Sequence, residues 1–401
     1  MAQHTPGGLP FLRTVKPSYL VLFALAPLVV YLFVYNPVYQ SSLKFIFPGI
    51  GLTLLLTVFG YLLAAVWGLI LAGMQFLKLG RGTLRGFLIA GTAFVLVSLG
   101  LLLLPKNAYV LVGAADGTVA IVQGTPRSLS DAVRGGTYRE GAAVRDFRAV
   151  PDAATALDRI RSGTYTGALI PKAALPEGEA VLWEISVTPQ PRINLFSGLL
   201  AVGGFLLLLV FGGWQSGEHP LAIFAELYID VIRGIPMLVI ILFIGLVLPG
   251  ELAKLNILLE PNNEFLRNLQ RGTLAIGLAY AAYMAEIFRA GIQAVPRGQT
   301  EAARTLGLTG LQTVRFIVLP QALRVVIPPL GNEFIAMLKD TAIISLIGTE
   351  EMTRLARSYG AATLNNIPPY NTAAVLYIVL TLSASSLLKW IERRTGAGET
   401  R

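Results

Sequence analysis

The chain has 401 residues, 54% of them hydrophobic and only 14% charged, with a formal net charge of +9 and a mean hydropathy of +0.64. Soluble domains carry roughly 25% charged residues. A bilayer core about 30 Å thick takes roughly 20 apolar residues per helix, and several runs of that kind are present, so the composition specifies a polytopic membrane protein. The chain has no cysteine, which excludes disulfides, thiolate chemistry and cysteine-ligated metal. His4 and His219 are too far apart in sequence to form a metal-ligand pattern. The basic excess is not gathered into a face with aromatic readers, which argues against nucleic acid. Retention of lysine and arginine in cytoplasmic loops accounts for it instead.

In chain order, Arg13 and Lys16 precede an apolar run from Tyr19 to Tyr35, as in a signal peptide. The run is long, and "VYNPVYQ" behind it lacks a small-x-small cleavage site, so it reads as a retained span. Charge-poor runs predict about eight spans, near 19–35, 51–77, 86–104, 195–213, 231–249, 272–290, 324–348 and 372–390. Three basic groups fix the orientation: Lys78, Arg81 and Arg85; Arg297, Arg304 and Arg315; and Lys389, Arg393 and Arg394. All are cytoplasmic if both termini are inside, which leaves Lys44, Glu350 and Glu351 in outer loops.

From about Lys106 to Arg192 the pattern changes to a polar segment of short alternating elements. "GTVAIVQGT" predicts a strand, "RSLSDAVRG" a helix and "AAVRDFRAV" a strand. "DAATALDRIRSG" predicts a helix ended by Gly163, followed by the strands "TGALIP" and "AVLWEISVTP". The alternation implies a small parallel α/β layer of roughly 85 residues, placed outside the cell. The predicted fold class is therefore an all-α polytopic membrane protein with a small external α/β insertion.

Between two apolar runs lies "EAARTLGLTGLQTVRFIVLP". Thr300 is placed to cap a first helix, with Glu301 in its first turn, where a carboxylate offsets the helix dipole. Ala302 and Ala303 make a face without bulk, and Gly307 is a natural stop. Thr309 is placed to cap a second helix carrying Val314, Ile317 and Val318, ended by Pro320. Such physics alone fits an ordinary interfacial link between spans.

The spacing of Glu301, Ala302, Ala303, Gly307, Ile317, Leu319 and Pro320 resembles the cytoplasmic coupling loop of ABC importer permeases. "YMAEIFRAGIQAVPRGQTEAARTLGL" and "LPQALRVVIPPLGNEFIAMLKDTAIISLIG" resemble the polar amino-acid subfamily of those permeases, as do "AELYIDVIRGIPMLV" and "GIGLTLLLTVFGYLLAAVWGLILAGM". The resemblance implies a multi-pass protein of the bacterial inner membrane that carries a polar amino acid. It further implies a second permease copy or relative, an external solute-binding protein, and separate ATP-binding subunits that receive Glu301–Gly307 in a groove. A phosphate-binding loop needs a Gly-Lys pair, and this chain has none. ATP and Mg therefore belong to the partner subunit, and no cofactor or catalytic role is expected of this chain.

Against that family's pattern, the chain divides into an extra N-terminal span (1–47), a first core span (48–78), an inserted span (79–104), the polar lobe (105–193), a second inserted span (194–214) and the core permease domain (215–401), with the coupling loop at 296–320. The lobe resembles half of a type-2 amino-acid-binding protein. That resemblance puts Gly124 and Thr125 where a ligand carboxylate meets a helix N-terminus. Pro171 and Lys172 stand where the family's ammonium-binding aspartate would be, and the companion lobe is missing. The lobe is thus read either as a ligand site or as a vestigial or docking element.

Asn332, Glu333, Lys339 and Asp340 lie within or beside an apolar run, where ionisable groups are costly and face a partner or a wet path. They either line the translocation path, suiting an ammonium and a carboxylate, or neutralise one another at an interface. Glu286 and Arg289, at helical spacing, read as a structural pair. Two other function classes also suit a membrane chain of this kind: a membrane sensor whose lobe reads a ligand, and a passive channel. About ten residues follow the last span, short for an output domain, and a channel needs no docking helix.

Overall fold

The computed structural model describes residues 17–80, 82–135, 146–254 and 261–395. Arg13 and Lys16, ahead of the first apolar run, and Arg81 of the first basic group lie outside them. In chain order the helices begin with α1 (Pro17–Tyr35), α2 (Pro37–Ile46), α3 (Gly49–Gln75) and α4 (Thr83–Leu103). The lobe follows as β1 (Asn107–Gly113), β2 (Thr118–Val122), α5 (Arg127–Arg134), β3 (Asp146–Val150), α6 (Ala153–Arg161), β4 (Gly167–Pro171) and β5 (Val181–Val187). Then come α7 (Gln190–Ser216), α8 (Pro220–Gly234), α9 (Met237–Leu242), α10 (Leu248–Lys254), α11 (Glu264–Gln293), α12 (Arg297–Thr305), α13 (Gly310–Thr313), α14 (Leu319–Ile344), α15 (Met352–Thr363) and α16 (Ile367–Thr395). Two compact units result, one of residues 1–77 and 221–401 and one of 78–220.

The first unit is organised around α11. Gly60, Ala64, Gly68 and Ala72 recur every fourth residue along α3, and all are buried. They meet a run of small buried residues on α11, including Gly277, Ala281, Ala282 and Ala285. Lipid supplies no hydrophobic drive between spans, so close backbone approach through small side chains holds such helices together. A Cβ on Gly68 would lie 2.8 Å from the Ala281 carbonyl oxygen and 2.9 Å from Met284 Cβ.

Among the described residues, five helical stretches are long and apolar enough to cross a membrane: Pro37–Gln75, Thr83–Leu103, Gln190–Ser216, Gly310–Ile347 and Ile367–Thr395. A sixth arises if α8 and the stretch Met237–Glu251 count as one span, although they meet at 111°. The run expected at 231–249 is therefore not a straight span. Pro236 lacks an N–H and pushes Ile235 out of helical geometry, which breaks the helix there. The run expected at 272–290 lies inside α11, whose charged ends (Glu264, Arg267, Arg271, Glu286, Arg289) keep it out of the apolar set.

In the second unit α4 and α7 form an antiparallel hairpin. Gly203 approaches the Gly91 carbonyl oxygen closely enough that a Cβ would sit 2.9 Å away. Ser98 Oγ donates to the Phe196 carbonyl at 2.8 Å. The lobe is a five-stranded sheet in the order β3-β2-β4-β1-β5. β2 runs parallel to β3 and β4, while β1 is antiparallel to β4 and β5, so the sheet is mixed rather than parallel. The missed strand is β1. It is buried over Tyr109–Val112 and follows directly on an apolar helix, so no alternation marks it off.

Alternate β1 side chains feed two cores, Val110 and Val112 with Ala156 and Leu157 of α6, and Tyr109 and Leu111 with Leu129 and Val133 of α5. Asp152 caps α6 by accepting the Thr155 N–H at 2.7 Å, and Gly163 follows the helix at φ +74°. The part of "AAVRDFRAV" before Asp146 lies outside the described residues.

Candidate functional site

The loop between α11 and α14 is an ordered pair of helices. α12 starts at Arg297, earlier than the sequence suggested, with Pro296 standing just outside it in extended geometry (φ −57°, ψ 131°). Thr300 is therefore no cap. Its hydroxyl donates back to the Arg297 carbonyl at 2.7 Å, and Glu301 sits in mid-helix. Glu301 and Ala302 are exposed, whereas Ala303 is buried within the chain's own fold. The bulk-free face is thus split between an outward and an inward alanine.

Gly307 turns the chain at φ +80°, a left-handed conformation that a side chain would strain. Thr309 does cap the next helix: its Oγ1 accepts the Gln312 N–H, and the Gln312 side chain returns to the Thr309 N–H at 2.8 Å. Val318 is buried, Ile317 half-buried, and Leu319 and Pro320 exposed. Pro320 does not end this helix, contrary to expectation. The chain widens into a π-helical turn over Val314–Val318 and continues into α14.

The charged residues of α14 separate into two sets. Glu333 and Asp340, seven residues apart, share a face, and the Tyr280 hydroxyl of α11 donates to Asp340 Oδ2 at 2.7 Å. Tyr61 of α3 packs edge-on against Phe334 and donates to the Leu330 carbonyl at 3.1 Å. Asn332 and Lys339 are exposed, and among the described residues Lys339 has no ion pair. Lys339 falls about 240° around the helix from Glu333, off the carboxylate face.

Arg289 donates to Glu286 Oε2 at 2.7 Å, as the spacing suggested. Arg233, at the elbow of the broken helix, lies 3.9 Å from the other Glu286 oxygen and over the Tyr283 ring. Tyr280 and Arg233 went unnoticed in sequence because each needs a partner on another helix.

Beyond α14, Glu351 is fully buried as the cap of α15. It accepts the Arg354 N–H at 2.7 Å, the Thr353 N–H at 2.9 Å and the Tyr377 hydroxyl at 2.6 Å. Burial pushes its carboxyl above the ordinary value of 4.5, against the pull of those donors. The folded state then holds this proton more tightly than the unfolded one. Its contribution to stability is present at low pH and lost as pH rises through the raised pKa. The melting temperature of the wild type is expected to rise relative to Glu351→Gln as pH falls from neutral toward 4.5, read by thermal unfolding in detergent.

In the lobe, Gly124 stands at φ +90° between β2 and α5. Both Thr125 donors turn inward to the Val122 carbonyl, the N–H at 3.1 Å and the hydroxyl at 2.8 Å. Lys172 is paired to Glu184 at 2.6 Å.

The model of the family described as binding-protein-dependent transport system inner membrane component matches residues 209–397. The glutamate/aspartate import permease protein GltK of Escherichia coli O157:H7 is 37% identical over 181 residues, 45% of this chain and 79% of that protein. The glutamine transport system permease protein GlnP of E. coli K12 is 35% identical over 210 residues, 51% of this chain and 90% of that one. A probable amino-acid permease protein of Bacillus subtilis, YxeN, is 34% identical over 222 residues, 53% of this chain and 94% of that protein. A solved amino acid ABC transporter shares 40% identity over 47% of this chain and 85% of its own, with a TM-score of 0.38. With 79 to 94% of these relatives covered at more than 30% identity, the chain belongs to the binding-protein-dependent transport system inner membrane components.

Proposed function

We propose that this chain is the permease subunit of an ATP-driven importer for polar amino acids, working by alternating access with a second permease copy or relative. ATP and Mg would act on separate subunits that receive Glu301–Gly307, and an external binding protein would deliver solute. The observation that carries the reading is the ordered α12, with Glu301 and Ala302 outward and Gly307 closing it. In this reading α1 and α11 complete about eight spans, both termini are cytoplasmic, and the lobe is external. Of the four α14 residues, Glu333 and Asp340 are assigned to the polar wall of the solute path, with Asn332 and Lys339 at its margin on another face of the helix.

Gly124 and Thr125 are assigned a docking or vestigial role rather than capture, because the Thr125 donors are committed within the turn. The test is a panel of polar amino acids added with binding protein to the assembled complex. Several-fold stimulation of ATP hydrolysis by one class is expected, and no stimulation together with ATP-independent uptake would overturn the reading.

A further inference from the structure

Proline at position 320 lacks an N–H, and its ring crowds the carbonyl four residues before it. The helix answers by widening: the Leu319 N–H reaches past the usual partner to the Val314 carbonyl. The same Leu-Pro pattern widens the chain over Phe243–Val247, where the Leu248 N–H donates to the Phe243 carbonyl ahead of Pro249. At the first of these turns a side chain enters the loosened ladder. Gln321 Nε2 donates to the Ile317 carbonyl at 2.9 Å, inside the π turn, and also to Gln299 Oε1 on α12. Beneath this link Val295, Val318 and Ala322 cluster with Ile292. Gly291 brings α11 against Val326 and the Ala322 carbonyl.

We propose that Gln321 is a positioning residue that ties α12 to the widened turn at the head of α14, so that displacement of α12 is delivered to the helix bearing Glu333 and Asp340. The inference rests on α12 being the helix that meets the ATPase. Neither Gln299 nor Gln321 belongs to the Glu-Ala-Ala…Leu-Pro spacing, and geometry alone singles them out. Gln299 is exposed and Gln321 half-buried, so the link contributes little to folding, while the apolar cluster holds the helices together. A π turn is a single-turn bulge in the helix ladder of the kind often found at functional sites. An amide bonded to both its backbone and the neighbouring helix makes the two move together.

The test uses the assembled transporter in vesicles, reading bound ATPase subunits, ATP hydrolysis and solute moved per ATP. Gln321→Leu and Gln299→Leu are expected to keep the ATPase bound and hydrolysis within about twofold, while solute per ATP falls roughly fivefold. The double variant is expected to be no worse than either single one, because both remove the same bond. Pairing Gln299→Glu with Gln321→Lys is expected to restore most of the loss by placing a donor opposite an acceptor again. Unchanged solute per ATP in both single leucine variants, or additive losses, overturns the inference. If Glu301→Arg still releases the ATPase in that case, the α12 reading survives it. Full ATPase binding in Glu301→Arg overturns that reading and this inference with it.

Discussion

Gly68→Leu is expected to leave almost no folded protein in detergent. At this position a Cβ would lie 2.8 Å from the Ala281 carbonyl oxygen, 2.9 Å from Met284 Cβ and 3.0 Å from the Ala285 nitrogen. Two of those atoms are backbone and cannot swing aside. Overpacking a core costs about 1–3 kcal/mol even where side chains can yield. Here α3 and α11 must separate, and with them the packing of the central helix. Gly73→Leu is the matched control, since nothing lies within 4 Å of a Cβ there. Size-exclusion profiles are expected to show aggregate for Gly68→Leu and a monodisperse peak for Gly73→Leu. A monodisperse Gly68→Leu protein melting at the wild-type temperature would contradict the packing described.

The second large effect is expected from Glu333→Ala, in ATP-dependent uptake. Glu333 shares a face of α14 with Asp340, which Tyr280 fixes at 2.7 Å. A carboxylate that receives the solute's ammonium supplies a charge-assisted contact of about 2 kcal/mol, and about 2 kcal/mol corresponds to roughly a thirtyfold loss. Lys339→Ala is expected to change uptake far less, because that side chain is exposed and off the carboxylate face. Uptake and selectivity kept in Glu333→Ala would remove Glu333 from the path and favour mutual neutralisation at an interface.

Much of this was legible in the chain, for physical reasons that differ by element. The helical hairpin of α4 and α7 followed from run length, and α6 and β4 from periodicity with Gly163 as a stop. Gly307 and Thr309 could be read because a left-handed turn and a capping box are local devices. What stayed hidden depends on tertiary partners or on competition between local rules. β1 is a central strand, buried on both faces, so its alternation was invisible behind α4. The parallel layer became a mixed sheet because antiparallel pairing of β1 is decided between strands.

Pro320 looks like a stop in the sequence, yet the helix absorbs it by widening to a π turn. Pro236 was passed over inside an apolar run, yet there the helix bends by 111°. Two prolines next to apolar helices thus have opposite outcomes, one absorbed by a π turn and the other starting a new helix. Thr300 lost its capping role to Pro296, a nearer start signal. Tyr280 and Arg233 have no signature of their own, because each acquires its role only across helices.

In the proposed mechanism, force from ATP hydrolysis enters this chain through α12. The measurement that tests it most directly is uptake by vesicles holding the permease, its ATPase subunits and binding protein, comparing wild type with Glu301→Arg. Glu301 is exposed in mid-helix and, among the described residues, its side chain has no ion pair, so the change is expected to leave the permease folded. The predicted result is a monodisperse permease that no longer retains the ATPase and loses ATP-dependent uptake. A Glu301→Arg transporter with full ATPase binding and wild-type uptake would contradict the claim.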